Sequence, residues 1–217
     1  MDFEQARYNM IEQQVRPWEV LDQDVLDLLA QVHREDFVPA AYRQLALADV
    51  RIPIGHDEIT MTPKAEARLV QSLLLKPTDK VLEVGTGCGY LTALLASTAA
   101  AVVSVDIHTD FSQAAKTKLT EHGITNVQLE TGDAVNGWPS AAPYDAIAVT
   151  GSVPVLTEAF QSQLAIGGRL FVIVGESPVM AARLITRMGD QEWASESLFE
   201  TDLPPLIGAP QPSHFTL

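Results

Sequence analysis

Val81-Leu82-Glu83-Val84-Gly85-Thr86-Gly87-Cys88-Gly89-Tyr90 decides the fold of this 217-residue chain. Lys80 to Val84 reads as a short buried strand, and Leu91 to Ser97 as a helix, so a glycine-rich loop joins a strand to a helix. In that setting glycines allow a tight turn and let backbone approach a ligand lying across the carboxyl end of a sheet. The spacing is GxGxG. A dinucleotide fingerprint instead asks for Gly or Ala at Tyr90 and seats a pyrophosphate on the helix N-terminus.

Outward from the loop, apolar runs alternate with helical segments, as in βαβ units of a parallel sheet. Strands are expected at Lys80-Val84, Ala101-Asp106, Val127-Glu130, Tyr144-Val149 and Arg169-Val174, with a helix at Phe111-His122. Ala181-Met188 and Trp193-Thr201 read as an antiparallel hairpin on the same sheet. Upstream, Leu21, Val25, Leu28, Leu29 and Val32 fall at helical spacing, with Asp22 or Asp24 as the cap. Ile52 to Ile59 reads as loop or short edge strand, and Pro63 opens a helix to about Leu75. The expected fold is α/β, Rossmann-like: a mostly parallel seven-stranded sheet flanked by helices, with an N-terminal helical cover. One domain is expected, with residues 1–62 as cover and substrate-side loop, 63–175 as cofactor-binding core, and 176–217 as the last strands and a Pro-rich tail. That tail, from Pro204 through Pro212, reads as irregular, partner-facing or poorly ordered.

Acidic residues follow three consecutive strands. Glu83 precedes the loop, where a carboxylate favours a cation and repels a pyrophosphate. Asp106 ends the second strand, about twenty residues on, where it can accept from both ribose hydroxyls. Asp133 follows the third and can meet the exocyclic amine of adenine. The ligand these features select is S-adenosylmethionine, which carries an ammonium and a sulfonium and no phosphate. Glu83, Gly85, Thr86, Gly87, Gly89, Asp106 and Asp133 are the expected cofactor-binding residues.

Composition narrows the alternatives. A formal net charge of -14 opposes contact with a phosphate backbone, so no nucleic-acid partner is expected, and Lys116 and Lys118 read as a solvated helix face. No apolar run approaches the ~20 residues of a membrane span, and Met1 to Gln5 lacks the features of a secretory signal. No membrane association and a cytoplasmic location are expected. The single cysteine, Cys88, cannot form an internal disulfide and reads as a small loop residue. The five histidines are scattered in sequence, so no metal is expected.

Beyond the loop, the chain resembles the protein-L-isoaspartate O-methyltransferase family from roughly Val32 to Gly175. Val32-His33-Arg34-Glu35-Asp36-Phe37-Val38-Pro39, then Ala48-Asp49 and Ile52-Pro53-Ile54-Gly55, is similar to its N-terminal signature. Val81 to Tyr90 resembles its cofactor motif. Asn126-Val127, Gly132-Asp133, Gly137-Trp138, Ala142 to Asp145 and Gly167 to Leu170 continue the likeness. The resemblance implies methyl transfer to the free carboxylate of isoaspartyl residues in damaged proteins or peptides. A carboxylic acid ordinarily titrates near pH ~4 and is already ionised at neutral pH, so no general base is needed.

One segment departs. The family reads Thr-Ile-Ser-Gln-Pro ahead of the helix, with the serine beside the reactive carboxylate; here the segment is Ile59-Thr60-Met61-Thr62-Pro63, and that serine falls on Met61. Methionine cannot donate a hydrogen bond. Thr60 and Thr62 are therefore the candidate catalytic residues for positioning the acceptor. Two other readings stay open: methyl transfer to a different, small-molecule acceptor, and a non-catalytic module that binds S-adenosylmethionine.

Overall fold

A computed structural model describes residues 2–212. The cover begins with α1 (Phe3–Met10), capped by the Asp2 carboxylate, and runs on through irregular helical turns to Trp18. α2 (Gln23–Gln31) is capped by Asp22, whose side chain accepts from the Asp24 N–H at 2.9 Å. Val25, Leu26 and Leu29 are its buried face, whereas Leu21 lies ahead of the helix and is 71% exposed, outside the stripe expected of it. β1 (Pro53–Gly55) and β2 (Glu58–Ile59) form a small antiparallel hairpin, and α3 (Pro63–Leu73) starts on its proline as expected.

β3 (Lys80–Val84), α4 (Tyr90–Thr98), β4 (Ala101–Asp106), α5 (Thr109–Glu121) and β5 (Val127–Thr131) follow in strict alternation. β6 (Tyr144–Val153), the short α6 (Glu158–Gln161), β7 (Leu164–Glu176), β8 (Val179–Gly189) and β9 (Glu192–Thr201) complete the chain. The strand order is β5-β4-β3-β6-β7-β8-β9, parallel through β7 and antiparallel from β7 to β9. This is the mostly parallel seven-stranded sheet that the alternation called for. β6 and β7 outrun their expected ends because register shifts between Tyr144 and Ala146, and again between Ala148 and Ser152, let pairing continue past irregular backbone.

β3 sits between β4 and β6 and is covered on both faces. Leu82 and Val84 pack with Val103, Val105, Ile147 and Val149 in one apolar cluster, while Val81 joins the other with Leu94, Leu95 and the cover. Glu83 shares the Val81 face by strand alternation and is wholly buried there. Its Oε2 accepts from Thr92 Oγ1 at 2.5 Å and Ser104 Oγ at 2.6 Å, and Thr86 Oγ1 meets Ser104 Oγ at 2.6 Å. The other oxygen, Oε1, has no partner among the described residues. Burial pushes the Glu83 carboxyl up to about 8 against the pull of the two hydroxyls.

That shift makes stability depend on pH. A group whose folded pKa lies above its unfolded value binds an extra proton in the folded state, so its contribution is complete below the unfolded value of 4.5 and is lost as pH rises through about 8. The urea midpoint of the wild-type protein is expected to fall between pH 5 and pH 8 more steeply than that of Glu83→Gln. The slope difference is the readout, because every other shifted carboxyl is common to both proteins; parallel slopes would place the Glu83 pKa near its ordinary value.

Candidate active site

The site forms where the loop leaves β3. Gly85 has φ +96, and a Cβ there would lie 2.1 Å from Thr150 Oγ1, so the position excludes any side chain. Gly89 has φ +87 and stands at the N-cap of α4, where a Cβ would meet Ala115 Cβ at 3.0 Å. Thr150, on β6, places its hydroxyl 2.9 Å from both the Val84 and Gly85 carbonyls and so braces the loop from the neighbouring strand.

Asp106 braces it from the other side. One carboxylate oxygen accepts from the Gly87 N–H at 2.8 Å and the other from the His108 N–H at 2.9 Å, which fixes the carboxylate at the end of β4. Asp133 is exposed and accepts from the Val135 N–H at 3.0 Å. Gly85, Gly87, Asp106, Asp133 and Thr150 all line one cleft, which encloses about 740 Å³ with the open solvent at its mouth included. The size suits a nucleoside-bearing ligand. Among the described residues its charged or titratable walls are Glu58, Asp106, Asp133 and His108, with no Lys or Arg. Burial raises Glu58, and nearby His108 opposes the rise.

A smaller cavity of about 360 Å³ lies against the same loop, walled by Thr60, Met61, Glu66, Thr86, Cys88 and their neighbours. Burial pushes both the Glu66 carboxyl and the Cys88 thiol up. The upward push on the half-buried Cys88 thiol disfavours the thiolate, in keeping with a loop residue rather than a nucleophile. A third cavity lies beyond Met61, which walls both, and is lined by Trp18, Arg51, Thr62, Lys64 and Asp202 among others.

The residues singled out in the sequence thus divide. Gly85, Gly87, Asp106 and Asp133 meet at the large cleft, and Thr60 and Thr86 at the small cavity. Gly89 lines neither and serves as the helix cap. Glu83 also lines neither: it lies under the loop with its hydroxyl partners, so the expected direct contact with a bound cation gives way to a buried supporting position. Thr62 faces the third cavity, apart from Thr60.

Other expectations need correction. Lys118 is not a solvated lysine; its ammonium donates to the Phe37 carbonyl and, at 3.3 Å, to the Cys88 carbonyl, tying α5 to the cover and the loop. The Pro-rich tail is not loose where it is described. Ser152 donates from N to Pro204 O at 2.9 Å and from Oγ to Leu203 O at 2.8 Å, and its carbonyl accepts from Leu206 N at 2.9 Å, so Leu203 to Ile207 form a wall of the large cleft. Residues 213–217 lie outside the described residues. The histidines do not all stay apart either: His56 and His108 stack at 4.0 Å, with Asp110 close by. Their rings lie 8° from parallel, and His56 Nε2 is hydrogen-bonded to Asp110 at 2.9 Å. Arg34, Glu66 and Thr150 carry no signal of a site role in the sequence pattern, although Arg34 lies within the N-terminal segment that carries the resemblance.

With this geometry, known proteins offer a direct comparison. A family model described as Protein-L-isoaspartate(D-aspartate) O-methyltransferase (PCMT) matches residues 5–209. A protein-L-isoaspartate O-methyltransferase of Methylorubrum populi is 37% identical over 202 residues, covering 93% of this chain and 95% of its own. Another, from Rhodopseudomonas palustris, is 38% identical and covers 92% of each chain. A Plasmodium falciparum protein solved with S-adenosyl-L-homocysteine shares the fold at a TM-score of 0.77 and 20% identity, over 95% of this chain and 98% of that one. Matched along nearly its whole length by that family model and by these relatives, the chain belongs to the protein-L-isoaspartate (D-aspartate) O-methyltransferase family.

Proposed function

We propose that the protein transfers a methyl group from S-adenosylmethionine to the free carboxylate of isoaspartyl residues in proteins or peptides. The observation that carries this reading is the charge of the large cleft. Among the described residues its walls present Glu58, Asp106 and Asp133 and no Lys or Arg, which suits a cationic ligand with hydroxyls and an amine and opposes one built on phosphates. Family membership supports the acceptor.

When bound, S-adenosylmethionine supplies an electrophilic methyl group on a sulfonium. Gly85 and Gly87 leave backbone bare where the ligand must approach closely. Asp106, acceptor-only and already oriented by two amides, is assigned to the ribose hydroxyls, and Asp133 to the adenine amine. Glu83, Thr86 and Gly89 are assigned to holding the loop rather than touching the ligand. For the acceptor, the chain's work is orientation and exclusion of water, since an ionised carboxylate needs no base.

Methyl transfer to an isoaspartyl peptide, measured against its normal aspartyl twin, is expected to be strong for the first and near background for the second. Equal labelling of both, or of neither, would refute the assignment.

Calorimetry with S-adenosylhomocysteine tests the cofactor residues. Asp106→Ala is expected to weaken binding by roughly 1.5–3 kcal/mol for each charge-assisted hydrogen bond lost, while Glu121→Ala on the exposed end of α5 leaves it unchanged. Gly87→Val should abolish binding, because Gly87 has φ +50 and a Cβ there already sits 3.1 Å from Ile54 Cδ1. Unaltered affinity in a folded Gly87→Val protein would remove the loop from the site.

A further inference from the structure

The Arg34 side chain is 1% exposed, and each of its three nitrogens has a hydrogen-bond partner. Nε donates to Glu66 Oε2 at 2.8 Å and Nη1 to the Ala46 carbonyl at 2.7 Å. Nη2 serves Thr60 Oγ1 at 3.0 Å, the Met61 carbonyl at 2.8 Å and Glu66 Oε1 at 3.3 Å. Thr60 Oγ1 accepts a second bond, from the Ile52 N–H at 3.1 Å.

A hydroxyl oxygen has two lone pairs and one proton. Here a cation and an amide occupy both lone pairs, so the only capacity left is donation, and no described residue accepts that proton. The residue lines the small cavity against Gly85, Thr86, Gly87 and Cys88. Met61, next along the chain, has no proton to give, and Thr62 faces the cavity on the far side of Met61.

We propose that Thr60 is the hydroxyl donor that holds the acceptor carboxylate, and that Arg34 is the positioning residue that commits the Thr60 hydroxyl to donating. The proposal rests on the carboxyl-methyltransferase reading above and deepens it by naming the recognising group. Arg34 does a second thing. Glu66 walls the same cavity, and an unpaired carboxylate there would repel an anionic acceptor; the two-point contact with Arg34 cancels that charge.

The kinetic consequence has a definite form. The acceptor loses its negative charge as it is methylated, so a hydrogen bond to it is stronger in the bound ground state than in the transition state. Removing the donor therefore falls on KM more than on kcat.

The test measures methyl transfer to an isoaspartyl peptide for wild type, T60S, T60V and T62V, with S-adenosylhomocysteine affinity and thermal unfolding recorded for each. Thr60→Val is expected to lower kcat/KM roughly 10- to 100-fold through KM, with cofactor affinity within about twofold, while Thr60→Ser keeps near wild-type activity. A folded, cofactor-binding T60V protein with wild-type kcat/KM overturns the proposal, as does a loss carried by T62V instead. Should T60V fail to fold, having stripped a partner from Arg34 and Ile52, Met61→Ser decides: no gain is expected because the donor is already present, and a tenfold rise in kcat/KM overturns the proposal. A wild-type protein that binds S-adenosylhomocysteine yet leaves the peptide unmethylated overturns the reading of function itself, which the other outcomes leave standing.

Discussion

A guanidinium taken out of water must find acceptors for its protons or cost several kcal/mol, and Arg34 finds them on four residues in three different parts of the chain. Its partners are the Ala46 carbonyl in the cover, Thr60 and the Met61 carbonyl in the substrate-side segment, and Glu66 on α3. Its Cζ also lies over the Tyr90 ring, 5.6 Å from the centroid, on the first turn of the helix that follows the glycine loop. One buried charge thus sets the cover, the acceptor side and the cofactor loop in register with one another. Lys118 repeats the device on a smaller scale, joining the cover at Phe37 to the loop at Cys88.

What can be read from the sequence follows from the range of the interactions involved. The strand, loop and helix around Gly85 to Gly89 are legible because periodicity and glycine spacing are local, and Asp106 and Asp133 are legible because a strand end fixes where its last residue lies. The Arg34–Glu66 pair joins positions 32 residues apart and has no local pattern. Glu83 falls on its expected strand but lies buried beneath the loop, where its hydroxyl partners Thr92 and Ser104 come from other elements and leave no local pattern. The tail reads as irregular because its order comes from pairing with Ser152 and not from its own composition. Thr60 and Thr62 are equivalent as letters, and only the cavities on either side of Met61 separate them.

The two cavities at the loop differ in charge in a way that matches two ligands of opposite sign. Among the described residues the large cleft is walled by carboxylates without a Lys or Arg in its lining, which suits a cation. Among the described residues the small cavity has one carboxylate, Glu66, and that one is neutralised in place by Arg34. A chain with net charge -14 would otherwise repel an acidic acceptor at the point where it must come closest.

Burial alone would be a poor way to hold such an acceptor. In this fold the carboxyls of Glu58, Glu66 and Glu83 are all pushed up by loss of solvent, Glu83 as far as about 8. An acceptor carboxylate enclosed against the loop would be driven the same way and would take up a proton, and a protonated acid is a far weaker nucleophile toward a methyl group. A hydrogen bond donated to the ionised form opposes that drift and keeps the oxygen charged until the methyl arrives. The hydroxyl that does this must not be free to turn and accept, which is the condition that two donors on Thr60 Oγ1 impose. Replacing a serine by methionine at position 61 therefore need not abolish carboxyl chemistry, provided the neighbouring threonine is held as it is here, by a buried cation whose own charge is spent on Glu66.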